Sequence, residues 1–217
     1  MKSIGFSILI LAAAASAASA QQWEVGGGAG VSFLPGVSAS NPTGNATTGF
    51  KTGLTAGAYL GQNLYPHISG EIRYDFAMSD LRLSSGGTEA TFSGMSHMVQ
   101  YDVILHTNRP GTHRQYYVLV GGGMRIFQAT GAEQAYQPLS QFAYFTKTHS
   151  VKPMAAVGAG IRFRIAPRLF LRTEIRDYIT PFPEAVITPA PGTKIGSILQ
   201  NFVPMVEVSY DLSKGER

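Results

Sequence analysis

The residues of this chain that could do chemistry stand at alternating positions. In the stretch 152–178, KPMAAVGAGIRFRIAPRLFLRTEIRDY, the charged Arg162, Arg164, Arg172, Glu174 and Arg176 sit one position from Ile161, Phe163, Ile165, Leu171 and Ile175. A period of two means strands, each with one charged and one apolar face. Read along the whole chain, the charged face carries a basic set of Lys51, Arg73, Arg125, Lys152, Arg162, Arg164, Arg172 and Arg176. Its acidic set is Glu24, Glu71, Asp75, Asp102, Glu174, Glu207 and Asp211. Near-equal numbers suit ion pairing in a confined interior, where charges must be paired and the arginine fork pairs best. Glu24 and Glu207 lie on the two closing strands, from which they could reach arginines across that interior.

Other chemistry finds little support. His149 and Ser150 are adjacent on one expected strand, so they point to opposite faces and cannot act together as base and nucleophile. His67, His97, His106, His113 and His149 show no metal-ligand spacing. The glycines of GGGMRIF (121–127) precede no helix and so form no phosphate cradle. No catalytic residue, metal or cofactor is expected.

The elements that must position the charges are eight period-two segments: 22–33, 49–61, 67–78, 94–106, 115–128, 151–165, 168–178 and 201–212. Most exceed the usual strand of soluble proteins and match the tilted residues that a membrane strand needs. Pro153 and Pro204 fall within two of them and are expected at strand ends or bulges. The connections alternate in length. Those at 34–48, 79–93, 129–150 and 179–200 are long, and the three between them are short turns. In an up-and-down barrel every long loop then emerges at one rim. The charged face also holds Gly26, Gly28, Gly30, Gly53, Gly57, Gly121, Gly123, Gly158 and Gly160. Such glycines make room for long side chains inside a narrow barrel. Trp23, Tyr116 and Tyr210 near the short turns, with Phe33, Phe50 and Phe92 near the long loops, read as two aromatic girdles.

The N-terminus supplies a compartment. MKSIGFSILILAAAASAASA has a charged start, an apolar run and a small-residue end, which reads as a signal peptide over 1–20. Residues 21–217 then form one domain. No apolar stretch is long enough for a membrane helix, and the chain has no Cys. A net charge of +4 without a basic run argues against a nucleic-acid partner.

The segment order, GGGAGVSF early, YYVLVGGGMRIF in the fifth segment and VEVSYDL in the last resemble the small eight-stranded outer-membrane β-barrel family, the OmpA-like transmembrane barrel group. The resemblance implies an all-β fold: an eight-stranded antiparallel up-and-down transmembrane barrel with long extracellular loops and short periplasmic turns. It implies the bacterial outer membrane, with membrane lipid and the barrel-assembly machinery as partners.

Eight strands leave an interior just wide enough for side chains. The expected lumen network is Glu24, Lys51, Glu71, Arg73, Asp102, Arg125, Arg162, Arg164, Arg172, Glu174, Arg176 and Glu207. The expected function is structural or surface-interacting, with four loops that could meet an extracellular ligand. FAYF (142–145) is the most adhesive-looking piece, or equally a loop folded onto the rim. The alternative is a small channel, or a route for hydrophobic or small polar solutes. An outer-leaflet lipid-modifying enzyme is the least supported, since no motif spacing matches one.

Overall fold

Alternation continues far enough in eight segments to close a sheet on itself. A computed structural model describes residues 22–108, 112–134 and 136–212; the segment read as a signal peptide lies outside the described residues. No helix occurs among the described residues. The barrel strands are β1 (Gln22–Ser32), β4 (Gly53–Tyr65), β5 (Ile68–Met78), β8 (Gly94–His106), β9 (Arg114–Ala129), β11 (His149–Ala166), β12 (Leu169–Pro181) and β15 (Ile198–Asp211). Each pairs antiparallel with its neighbours in that order, and β15 closes on β1. Period two divides the side chains of every strand between the lumen and the outside.

The outward face is apolar. Val25, Ile72, Val99, Val118, Val120, Ile175, Val206 and Val208 are all exposed on it. An isolated soluble protein would be penalised for so large an apolar surface, whereas lipid would cover it. Replacing Val120 by arginine should therefore weaken folding into a bilayer by about 2–4 kcal/mol, the cost of a cation on the lipid face. Urea titration of liposome-folded protein would read this directly.

The short-turn rim is made by tight connections at Pro66–His67 and Pro167–Arg168. One register shift accompanies each, between Asn63 and Tyr65 and between Arg164 and Ala166. The opposite rim is not a set of separate loops. Among the described residues seven short strands grow from it: β2 (Val37–Asn41), β3 (Gly44–Phe50), β6 (Leu81–Ser85), β7 (Thr88–Phe92), β10 (Ala143–Phe145), β13 (Ile187–Pro189) and β14 (Lys194–Ile195). They form a five-stranded sheet in the order β14-β2-β3-β6-β7 and a two-stranded sheet of β10 and β13. Beneath them lies one apolar core that includes Leu34, Phe50, Leu81, Leu83, Phe92, Phe127, Phe142, Phe145 and Leu199. The long connections thus build a folded cap.

Three expectations change. The second barrel strand begins at Gly53, and Gly49 and Phe50 belong to a cap hairpin. Phe50 and Phe92 are buried in the cap core, so they form no girdle, whereas Phe33 is exposed on the outer face. Pro153 and Pro204 lie at neither strand ends nor bulges: Pro153 pairs with Met124 and Pro204 with Ile175 in unshifted register. Beside Pro204 the β1–β15 ladder breaks after Gly30–Met205 and resumes in the same register at Phe33–Phe202.

Candidate functional site: the charged lumen and its cap

The inward positions of each strand stack into layers. On β5 they read Glu71, Arg73, Asp75, Ala77; on β12, Arg172, Glu174, Arg176, Tyr178; on β15, Glu207, Met205, Val203 in the same direction. The β5 and β15 runs go from charged at mid-barrel to apolar nearer the cap, and the β12 run ends on Tyr178.

Three arginines hold the charged layer together. Arg73 grips Glu207 with both terminal nitrogens, at 2.5 and 3.1 Å, and donates from Nε to Glu71 at 2.8 Å. It also lies 3.3 Å from Glu174 and 3.4 Å from Asp75. Arg172 reaches Glu71 at 2.7 Å and Glu174 at 2.9 Å. Arg176 meets Asp102 at 2.6 Å and Glu71 at 3.0 Å, and its Nε donates to Glu174. Tyrosine hydroxyls fill remaining acceptor sites: Tyr117 donates to Glu174 at 2.7 Å and Tyr178 to Asp75 at 2.6 Å. Arg172 also lies over the Tyr59 ring, 4.3 Å from its centroid.

Glycines make room for this layer. A Cβ at Gly57 would strike the Asp75 carboxylate, and one at Gly121 the Asp102 carboxylate.

The other expected lumen residues take different places. Glu24 pairs with Arg162 near the short-turn rim, where Tyr59 donates to Glu24 at 3.1 Å. Arg162 and Arg164 both lie against the Phe170 ring, at 3.6 and 5.6 Å. Arg125 is fully buried above the charged layer. It donates to Ser96 Oγ at 3.0 and 3.2 Å and lies over Phe127, and it meets no carboxylate among the described residues. Met98, Met154, Met205 and Val203 form an apolar layer whose inward positions fall between Asp102 and Ser96 on β8 and beyond Glu207 on β15.

Lys51 is a correction. It stands between β3 and β4 at the cap and pairs with Glu89 at 2.7 Å, half-exposed. The displaced start of β4 takes it out of the lumen. Its hydrogen bond, aided by Arg82 at 2.9 Å, holds the Glu89 carboxyl below the usual carboxylate range. A depressed value stabilises above that range and is lost as pH falls through it; at so exposed a site the effect is small.

Tyr59, Tyr117 and Tyr178 also belong to the lumen, beyond the charged residues expected there. Each sits at an inward position of the alternation, and Tyr178 alone also has charged residues beside it in the chain, Arg176 and Asp177. FAYF folds onto the rim: Phe142, Ala143 and Phe145 are buried and Tyr144 is exposed.

Comparison with known proteins agrees with this architecture. The sequence matches the outer membrane protein beta-barrel domain family over residues 6–186. The fold is similar to outer membrane protein OprG from Pseudomonas aeruginosa, at 9% identity and a TM-score of 0.63, covering 89% of this chain and 96% of that one. It is also similar to Neisserial surface protein A, at 9% identity and a TM-score of 0.52, covering 87% and 96%. At such identities the likeness shows the fold alone. No curated protein sequence matches. The alternation, the closed eight-strand barrel and the family match together make the chain a member of the outer membrane protein beta-barrel domain family, resident in the bacterial outer membrane.

Proposed function

We propose that the chain is a non-enzymatic surface-interaction protein, a sealed barrel that carries a folded cap on the cell exterior. The observation that supports this best is the cap itself. Four connections share two sheets and one apolar core above a lumen packed with ion pairs. A channel would gain nothing from a lid of this kind, whereas a recognition surface gains rigidity, since less ordering entropy is lost on binding. Lipid surrounds the barrel, the assembly machinery inserts it after removal of residues 1–20, and an extracellular ligand meets the cap.

The absence of cysteine makes display testable. A cysteine replacing Tyr136 or Tyr144, both exposed in the cap, should react with a membrane-impermeant maleimide on intact cells. One replacing His113 in the short-turn rim should react only once the outer membrane is opened. Labelling of His113→Cys alone on intact cells would sink the proposal.

A second reading has one specific support. Pairing between β11 and β12 stops at Ala155–Ile179. Beyond it, residues 149–154 pair with β9 only, and Thr180 and Pro181 with β15 only. Pro153 and Pro181 lack the donors that would continue the ladder. A parted seam could pass apolar solutes sideways into the membrane. Cross-linking Pro153→Cys to Pro181→Cys should then abolish alkane uptake by cells expressing the protein; unchanged uptake would discard the route.

A further inference from the structure

From the cap geometry we infer that the outer edge of β7 is a docking site for an extended peptide segment of a partner protein, which adds to the cap sheet as its sixth strand. This rests on the surface-interaction reading and assigns that surface its site and the chemistry of its partner.

The sheet order leaves β7 at one end. All five of its residues pair with β6 on one side, and no described strand pairs with the other. The remaining cap edges are short or closed. β14 has two residues. Beside β10, the Gln137 side chain donates to the Phe145 carbonyl at 2.9 Å and accepts from its N–H at 2.7 Å, closing that edge. An unsatisfied strand edge is a template for another backbone.

The β7 edge is also held ready. Gly86 and Gly87, with φ of 57° and 83°, make the tight turn that joins it to β6. Ala90 and Phe92 are anchored in the cap core, and Lys51 and Arg82 hold Glu89. Alongside runs a groove of about 370 Å³ lined by Glu89, Thr91, Phe92, Ala132 and Pro138, and Gly131 closes its end against the Phe92 ring. Thr130 and Gly131 donate to the Ser93 carbonyl at 2.8 and 3.3 Å, which ties that end of the groove to the end of the strand. The Phe92 and Phe145 rings, 5.8 Å apart, give the groove apolar lining.

These features select the occupant. A row of backbone N–H and C=O groups is matched by another extended backbone, and the groove takes its alternate side chains. A lipid chain offers no hydrogen bonds to such an edge. A second copy brings its own Ala132 and Pro138 beside its own β7, so two edges would meet with both grooves facing each other. A free peptide segment carries no such groove.

The test pans a random seven-residue peptide library on phage against the detergent-folded full chain. Enriched peptides should bind Ala132→Trp, which fills the groove from an exposed position, and Thr91→Pro, which spoils the edge, about tenfold or more weakly. Both variants should keep the fast-running unboiled gel band. Saturating peptide should slow amide exchange over 88–92. No enrichment, equal binding to Ala132→Trp, or protection confined to other segments would overturn the inference. So would concentration-dependent dimers lost in Ala132→Trp, since a second copy would then hold the edge. Ala132→Trp settles the matter alone if Thr91→Pro fails to fold. Maleimide labelling of the cap is unaffected by the groove, so failure here is distinguishable from failure of surface display.

Discussion

Replacing Arg73 by methionine should destabilise the folded barrel by about 3–5 kcal/mol, the cost of leaving buried charges without their partner. Arg73 is fully buried and touches Glu71, Asp75, Glu174 and Glu207. Among the described residues its loss leaves Glu207 one cationic partner, Arg172 at 3.5 Å. Lysine at the same place should recover only part, because one ammonium cannot match the two-pronged grip on Glu207. Urea unfolding in liposomes, followed by the difference between unboiled and boiled gel bands, reads both variants. Lys51→Ala, which breaks an exposed cap pair, should leave the midpoint unchanged and serves as the control. An Arg73→Met protein as stable as the wild type would mean that the layer carries little of the fold's energy.

Replacing Phe145 by alanine should loosen the cap while sparing the barrel. The ring is buried in the cap core, and truncating a buried phenylalanine costs about 3–5 kcal/mol where the site cannot collapse. The cap is joined to the barrel chiefly at the rim, so the loss should appear as local opening. Limited proteolysis should cut between 130 and 148 or between 182 and 197 faster than in the wild type. The protected barrel fragment should still run fast on an unboiled gel. Cleavage throughout the barrel strands would show that cap and barrel unfold as one unit.

The barrel was legible because its strands are long and two-faced. β8 was read with the ends it has, and β9 within one residue at each end. Period two also sets Arg73, Arg172 and Arg176 on inward positions. It does not say which carboxylate each arginine meets, because that depends on strand tilt and on how far side chains reach across the lumen. Lys51 was misplaced for a related reason. Gly49-Phe50 continues the alternation into Gly53, so two strands separated by a short break looked like one. The cap strands were not legible. VSASN and GNATTGF are short and polar, and their buried faces exist only because distant loops cover them. Phe50 and Phe92 looked like girdle residues because sequence alone cannot tell lipid from a loop-built core.

The central claim is that the lumen is sealed by its ion pairs and that the cap carries the function. Single-channel recording across a planar bilayer tests it most directly, on the wild type and on a variant whose four long connections are trimmed to tight turns. The account predicts silent membranes in both cases, since the block lies in the charged layer of Arg73, Arg172 and Arg176 with their carboxylates. Discrete current steps from the wild type, altered in size by Glu71→Gln, would contradict it and make the lumen a conducting path.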